Sequence, residues 1–160
     1  MAKDKKEKTN AMRRLDALKI QYGQHYYDGE EALSGTEVAA VLGQDPGQCF
    51  KTLVTVGRTG EHYVFMVPVA DELDLKKAAK AAGDKNMEMV AVKELLNLTG
   101  YIRGGCSPVG MKKKYPTYLD ETCILWPEIA VSAGARGHQM ILPPDDLCRL
   151  VHGQYCDLIQ

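Results

Sequence analysis

The sequence predicts one mixed α/β (α+β) domain, a curved, barrel-like mixed β-sheet surrounded by helices. Three observations lead there. The chain has 160 residues, a length suited to one domain. Seven or more short strand-like runs are interleaved with four or five helical ones. Strict βαβ alternation is absent, which disfavours a doubly wound parallel sheet.

The elements follow in chain order. Residues 1–8 read as a charged tail, and residues 9–160 as the folded domain. Thr9 or Asn10 caps a helix carrying Met12, Leu15 and Leu18 on one face, with Gly23 as its terminator. His25–Asp28 reads as a strand. Ser34 and Glu37 have capping-box spacing and open a helix bearing Val38, Val41 and Leu42, which stops at Gly43. Asp45-Pro46-Gly47 is a turn. Strands Cys49–Gly57 and His62–Ala70 follow, joined by the hairpin loop Arg58-Thr59-Gly60-Glu61. The Lys/Ala-rich segment from Asp74 to Ala82 is a strong helix former and ends at Gly83. Met87–Val90 reads as a strand and Val92–Leu98 as a helix.

Residues 100–110, GYIRGGCSPVG, mark a loop in which backbone turns sharply or approaches something closely. Beyond it, Tyr115–Leu119, Cys123–Trp126 and Glu128–Ser132 read as strands. Ala133–Gly137 reads as a second glycine loop, and His138–Leu142 as a strand. Pro143-Pro144-Asp145-Asp146 opens a last helix, its carboxylates placed to favour the helix dipole. That helix stops near Gly153, and Tyr155–Ile159 closes the chain as a strand.

Composition narrows the function classes. Lys and Arg number 20 and Asp and Glu 21, for a net charge of −1. Phosphate attraction supplies most nonspecific nucleic-acid affinity, so a general nucleic-acid coat is disfavoured. Contact with one short RNA end is compatible with this charge. The five cysteines include no C-x-x-C pair and no zinc-like spacing, which points to free thiols in a reducing cytoplasm. The N-terminus lacks an apolar signal core. The longest strongly apolar run, Tyr63 to Ala70, is too short to cross a bilayer. P-loop, Rossmann, HExxH and EF-hand patterns are absent, so no cofactor or metal is expected.

Candidate chemistry concentrates in three segments. Strand alternation puts Cys49, Lys51 and Leu53 on one face and Phe50, Thr52 and Val54 on the other. Lys51 either meets an anion in a pocket or is an edge lysine that reaches water. The adjacent Gly104 and Gly105 either aim backbone N–H groups at an anion or form a plain turn. Cys106 is a thiol nucleophile if a histidine lies beside it, and otherwise a small buried side chain. Ser132 lies outside a G-x-S-x-G elbow, so it reads as an orienting hydroxyl rather than a nucleophile. Arg136 suits a phosphate or a surface ion pair. The paired carboxylates Glu30-Glu31, Asp71-Glu72 and Asp145-Asp146 sit at turns or helix starts.

Taken together, Phe50-Lys51-Thr52-Leu53-Val54, Gly100-Tyr101 through Gly104-Gly105-Cys106-Ser107-Pro108-Val109-Gly110, and Ser132-Ala133-Gly134-Ala135-Arg136-Gly137 form an ordered set. The set resembles the YbaK/EbsC family, related to the editing domain inserted in bacterial prolyl-tRNA synthetases. Tyr27-Asp28 and Leu75–Lys80 extend the likeness, which runs from about residue 9 to 159.

The resemblance implies a barrel-like sheet and hydrolysis of a mischarged amino acid from a tRNA 3′ end. Its nearest branch clears Cys-tRNA(Pro), and sometimes Cys-tRNA(Cys). It implies that Lys51 is the functional lysine, that Gly105 and its neighbours meet the scissile ester, and that Ser132 is a pocket hydroxyl. Tyr27, Thr52, Gly104, Cys106 and Arg136 would line the substrate. Cys106 stands where an aliphatic residue is usual. The family chemistry lets the substrate cysteine's own thiol attack its carbonyl, leaving as a cyclic thioester. The partners implied are the acceptor end of tRNA(Pro) and prolyl-tRNA synthetase. An Ala-tRNA(Pro) deacylase and a non-catalytic module that docks on a tRNA end or a synthetase remain the alternatives.

Overall fold

The computed structural model describes residues 8–29 and 33–160. The tail at residues 1–7 and the pair Glu30-Glu31 lie outside the described residues. Among the described residues, eight strands form two open sheets, one ordered β1-β7-β6 and the other β4-β2-β3-β5-β8. In the first, β1 (Gly23–Tyr26) and β6 (Ile129–Ala135) flank β7 (His138–Leu142), and all pairs are antiparallel. In the second, β2 (Phe50–Gly57) pairs antiparallel with β3 (His62–Pro68) and β4 (Met87–Met89). There β5 (Thr117–Asp120) lies parallel to β3, and β8 (Gln154–Cys156) parallel to β5. A lone parallel bridge, Cys49 to Ala130, links the sheets. The expected barrel-like sheet is therefore corrected to two open sheets. Cys49, just before β2, meets β6 through that bridge instead of a continuous ladder.

The helices are α1 (Asn10–Ala17), α2 (Gly35–Leu42), α3 (Leu75–Ala82), α4 (Val92–Thr99) and α5 (Pro144–Leu150). The starts of α1, α2 and α3 are capped by side chains, whereas α4 and α5 have no side-chain cap. The Thr9 hydroxyl accepts from the Met12 N–H. Ser34 and Glu37 form a complete capping box on α2. The Asp74 carboxylate accepts from two N–H groups of α3. Such caps satisfy donors that a helix start leaves unpaired. Gly43, Gly83 and Gly100 end α2, α3 and α4 in the left-handed region.

Strand β3 explains the layering. Tyr63 through Val67 are all buried. Val64 and Met66 face one side; Tyr63, Phe65 and Val67 face the other. Met66 joins α1, β6, β7 and α5 in the larger core through Met12, Leu15, Val131, Met140 and Leu147. Phe65 and Val67 pack on α3 through Ala78 and Ala79, whose small side chains let the helix approach. A strand buried on both faces reads as a continuous apolar run, and this one does.

Several boundaries differ from expectation. Helix α1 ends at Ala17, so Leu18 caps it and is 57% exposed. Gly23 starts β1 instead of stopping the helix. Val41 points outward, and Ala39 is the buried residue of α2. Cys123–Trp126 is no strand: Asp120 caps a 3₁₀ turn over Glu121–Leu125 by accepting from the Thr122 N–H. Ala133–Ala135 belong to β6, and the turn is Arg136-Gly137.

Asp120 ties the C-terminus to the second sheet. It is fully buried, and its carboxylate accepts from the N–H and hydroxyl of Thr122 and from the Leu158 N–H, 2.9 Å away. Asp120→Ala strands buried donors, so it is expected to lower the unfolding free energy by about 3 kcal/mol. Urea unfolding checks this, and a loss under about 1 kcal/mol would contradict it.

Candidate active site

Where the sheets meet, α2 and the 100–110 segment cover a cleft of about 140 Å³. It lies between β2 and the bulged end of β6. Ser132 pairs with Gln139 and Ala135 with His138, so two residues of β6 bulge out between them. Bulges of this kind re-aim side chains beside functional sites. Gly134 sits in the bulge at φ +97°, and a Cβ there would lie 2.9 Å from the Tyr101 ring. A Cβ on Gly105 would lie 3.0 Å from the Arg136 nitrogen. Gly134 favours glycine by its left-handed backbone as well as by the ring, while a side chain at Gly105 would require the Arg136 backbone to give way.

The cleft brings together six of the eight expected residues: Tyr27, Lys51, Thr52, Gly104, Cys106 and Ser132. Gly105 lies behind its wall, and its N–H donates to the Ile102 carbonyl at 3.0 Å. It is therefore not a donor toward the cleft. The N–H groups of Gly104 and Cys106 have no acceptor among the described residues. Arg136 is likewise outside the cleft. Its Nε donates to the Arg103 carbonyl at 2.9 Å, which fixes the glycine loop on β6.

Lys51 is half-buried and makes no ion pair among the described residues. The Thr52 hydroxyl is buried and has no hydrogen-bond partner among them. A buried polar atom without a partner is costly, and this oxygen is closed off from solvent. The Ser132 hydroxyl accepts from the Gly134 N–H at 3.2 Å and so supports the bulge. The Tyr27 N–H donates to the Gly137 carbonyl at 3.0 Å and anchors the chain beside the turn.

Burial pushes the Cys106 thiol up to about 12, although a hydrogen bond with Thr99 opposes the shift. Burial, with a smaller contribution from Asp45, pushes Cys49 up to about 11. At neutral pH both are protonated. Nucleophilic cysteines are held in the opposite state, by cationic neighbours or helix N-termini. The cleft is thus lined by a cation, Lys51, and by the backbone of Gly104 and Cys106, and holds no activated thiol. Among the described residues no cluster of three or more His, Cys, Asp or Glu side chains suits a metal ion.

Sequence reasoning missed Cys49, Val38, His138 and Gln139 in the lining. Gln139 exchanges hydrogen bonds with Gln44, at 2.6 and 3.0 Å, and Gln44 also accepts from the Cys49 thiol. His138 meets the Tyr26 ring edge-on, centroids 5.3 Å apart. His138 directly follows the turn, which was a usable signal. The glutamine pair spans 95 residues and left none.

Comparison with known proteins gives one consistent group. The aminoacyl-tRNA editing domain family matches residues 30–150. A protein of Enterococcus faecalis (strain ATCC 700802 / V583), provisionally named Cys-tRNA(Pro)/Cys-tRNA(Cys) deacylase EbsC, is 48% identical over 160 residues. The match covers 99% of this chain and 98% of that protein. A crystal structure provisionally described as a trans-editing enzyme for prolyl tRNA synthetase superposes with a TM-score of 0.78 at 30% identity. It covers 96% of this chain and 99% of that one. The hypothetical protein APE2540 shares the fold, with a TM-score of 0.84 at 20% identity, over 92% of this chain and 97% of its own.

Because the Thr52 hydroxyl has no partner among the described residues, Thr52→Val is expected to leave the unfolding free energy unchanged or raise it by about 1 kcal/mol. Urea melts check this. A loss of about 1 kcal/mol or more would show that the hydroxyl is satisfied within the protein.

Proposed function

The chain belongs to the aminoacyl-tRNA editing domain family, and from that premise we propose that it is a trans-editing deacylase that clears Cys-tRNA(Pro), and also Cys-tRNA(Cys). The observation that carries this reading is the cleft's chemistry. It sets a lysine that makes no ion pair among the described residues beside the glycine-rich segment and holds both of its thiols protonated.

An aminoacyl ester is already activated and needs little from a protein nucleophile. In this reading the substrate's cysteine thiol attacks its own carbonyl carbon. A carbon–sulfur bond forms, the ester carbon–oxygen bond breaks, and the thiol proton ends on the ribose oxygen. The cyclic thioester then hydrolyses in water. The N–H groups of Gly104 and Cys106 face the developing oxyanion, a kind of contact worth about 2.7–4 kcal/mol per donor. Lys51 neutralises the terminal phosphate or the leaving oxygen. Thr52, Tyr27 and Ser132 orient the amino acid, Gly105 and Arg136 hold the loop, and Cys106 is a filler. The volume of about 140 Å³ lies below the range of roughly 300–1,000 Å³ usual for drug-sized ligands. That suits one small amino acid, with the nucleotide outside.

The relatives support tRNA(Pro) as the substrate and prolyl-tRNA synthetase as the partner that delivers it. A chain of net charge −1 gains little from tRNA phosphates at large, so a delivering partner fits. All five cysteines are free, and no helix among the described residues is long and apolar enough to cross a membrane. Both features fit action in the cytoplasm, as one domain over residues 9–160.

Lys51→Ala is expected to lower deacylation of Cys-tRNA(Pro) by about a hundredfold or more, with an unchanged unfolding midpoint. Single-turnover release of labelled cysteine measures it. Near-normal release from a folded variant would overturn the assignment.

A further inference from the structure

A second cleft opens on the far side of the same glycine-rich segment. Gly104 and Cys106 line the first cleft. Pro108, Val109 and Gly110 line the second, which measures about 290 Å³. From Cys106 to Pro108 the chain extends at most about 7 Å, so the clefts share one wall. The charged side chains of the second are Arg14, Lys113 and Lys114, with His152 beside them and no carboxylate in the lining. All four residues are exposed. None of the three permanent cations makes an ion pair among the described residues. Tyr115 and Pro116 add flat apolar surface between the charges. In a chain of net charge −1, three cations around one apolar cleft with no ion-pair partner among the described residues are a local concentration of charge.

We propose that this basic cleft binds the phosphodiester backbone of the tRNA acceptor arm while the aminoacylated 3′ end lies in the first cleft. This rests on the reading that the substrate is an aminoacyl-tRNA. Charge complementarity fixes the occupant's sign, because Arg and Lys release counterions when they meet phosphates. Position fixes its place, because a strand entering the first cleft crosses the shared wall. The apolar surface fits the faces of unstacked nucleotides, which stack on aromatic side chains. Tyr101 couples the two clefts. Its hydroxyl donates to the Val109 carbonyl, and its ring packs where a Gly134 side chain would stand.

The test uses the full chain and a fluorescent, uncharged RNA hairpin that copies an acceptor stem with its single-stranded 3′ end. Lys113→Glu with Lys114→Glu is expected to weaken hairpin binding by at least about tenfold. It should also flatten the salt dependence of log Kd by about 1.4–1.8, the loss of two phosphate contacts. The milder Lys113→Gln with Lys114→Gln should shift both in the same direction, which guards against a folding defect. In deacylation, KM should rise by a similar factor while kcat stays within about twofold. Lys76→Glu with Lys80→Glu, on α3, should change nothing.

Wild-type affinity and salt slope in both cleft variants would overturn the inference. So would equal binding of polyglutamate with the same loss in the variants, since the cleft would then take acidic protein. The two readings fail separately. Hairpin binding through this cleft in a protein that deacylates nothing keeps the docking site and removes the activity. Normal deacylation with an unchanged KM in the variants does the reverse.

Discussion

Gly105 and Gly134 let the 100–110 segment lie directly against β6, and the cleft takes its shape from that contact. A methyl group on Gly134 would meet the Tyr101 ring at 2.9 Å, and one on Gly105 would meet the Arg136 backbone at 3.0 Å. Arg136 reinforces the join from the other side by donating to the Arg103 carbonyl. Gly29 repeats the device, since a Cβ there would lie 2.7 Å from the Arg136 carbonyl. Three separate stretches of chain therefore converge on one turn. Spreading them by a side chain's width would separate Lys51 and Thr52 from the N–H groups of Gly104 and Cys106. Pre-positioned donors are effective because they need no reorganisation when charge develops, and close backbone packing supplies that rigidity.

The same packing accounts for what the cleft lacks. Cys49 and Cys106 line it, yet burial keeps both thiols protonated near neutral pH. The Ser132 hydroxyl accepts from the Gly134 N–H in the bulge and keeps its own O–H to donate. Lys51 lines the cleft as a cation with no ion pair among the described residues, and no activated nucleophile stands beside it. Such a site suits a substrate that brings its own nucleophile. In the proposed reaction cysteine does, and side chains without a thiol do not. Selectivity then comes from chemistry more than from pocket walls, which matters because one missing methylene is worth only about 1–3 kcal/mol in an apolar pocket.

Much of this was legible in the sequence where local chemistry decides. The capping box at Ser34 and Glu37, the β2–β3 hairpin and the alanine-rich α3 all form as their residues dictate. The ordered set of segments led to the family, and six of the eight residues singled out with it line the cleft. What stayed hidden depends on long-range partners. Cys123–Trp126 has strand composition, but the Asp120 carboxylate captures the Thr122 N–H and turns the chain into a 3₁₀ helix. Gly105 looks like an oxyanion donor until its N–H is found closing a turn on Ile102. Two open sheets in place of a barrel follow from the single bridge between Cys49 and Ala130, which no local pattern encodes.

The claim at the centre of this account is that the substrate supplies the nucleophile and the cleft supplies electrostatic support. It is tested most directly by single-turnover deacylation of Cys-tRNA(Pro) and Ala-tRNA(Pro) with the same wild-type protein. The account predicts release of cysteine at a rate at least about a hundredfold above that of alanine, a barrier difference of about 2.7 kcal/mol. Equal rates, or faster release of alanine, would contradict it.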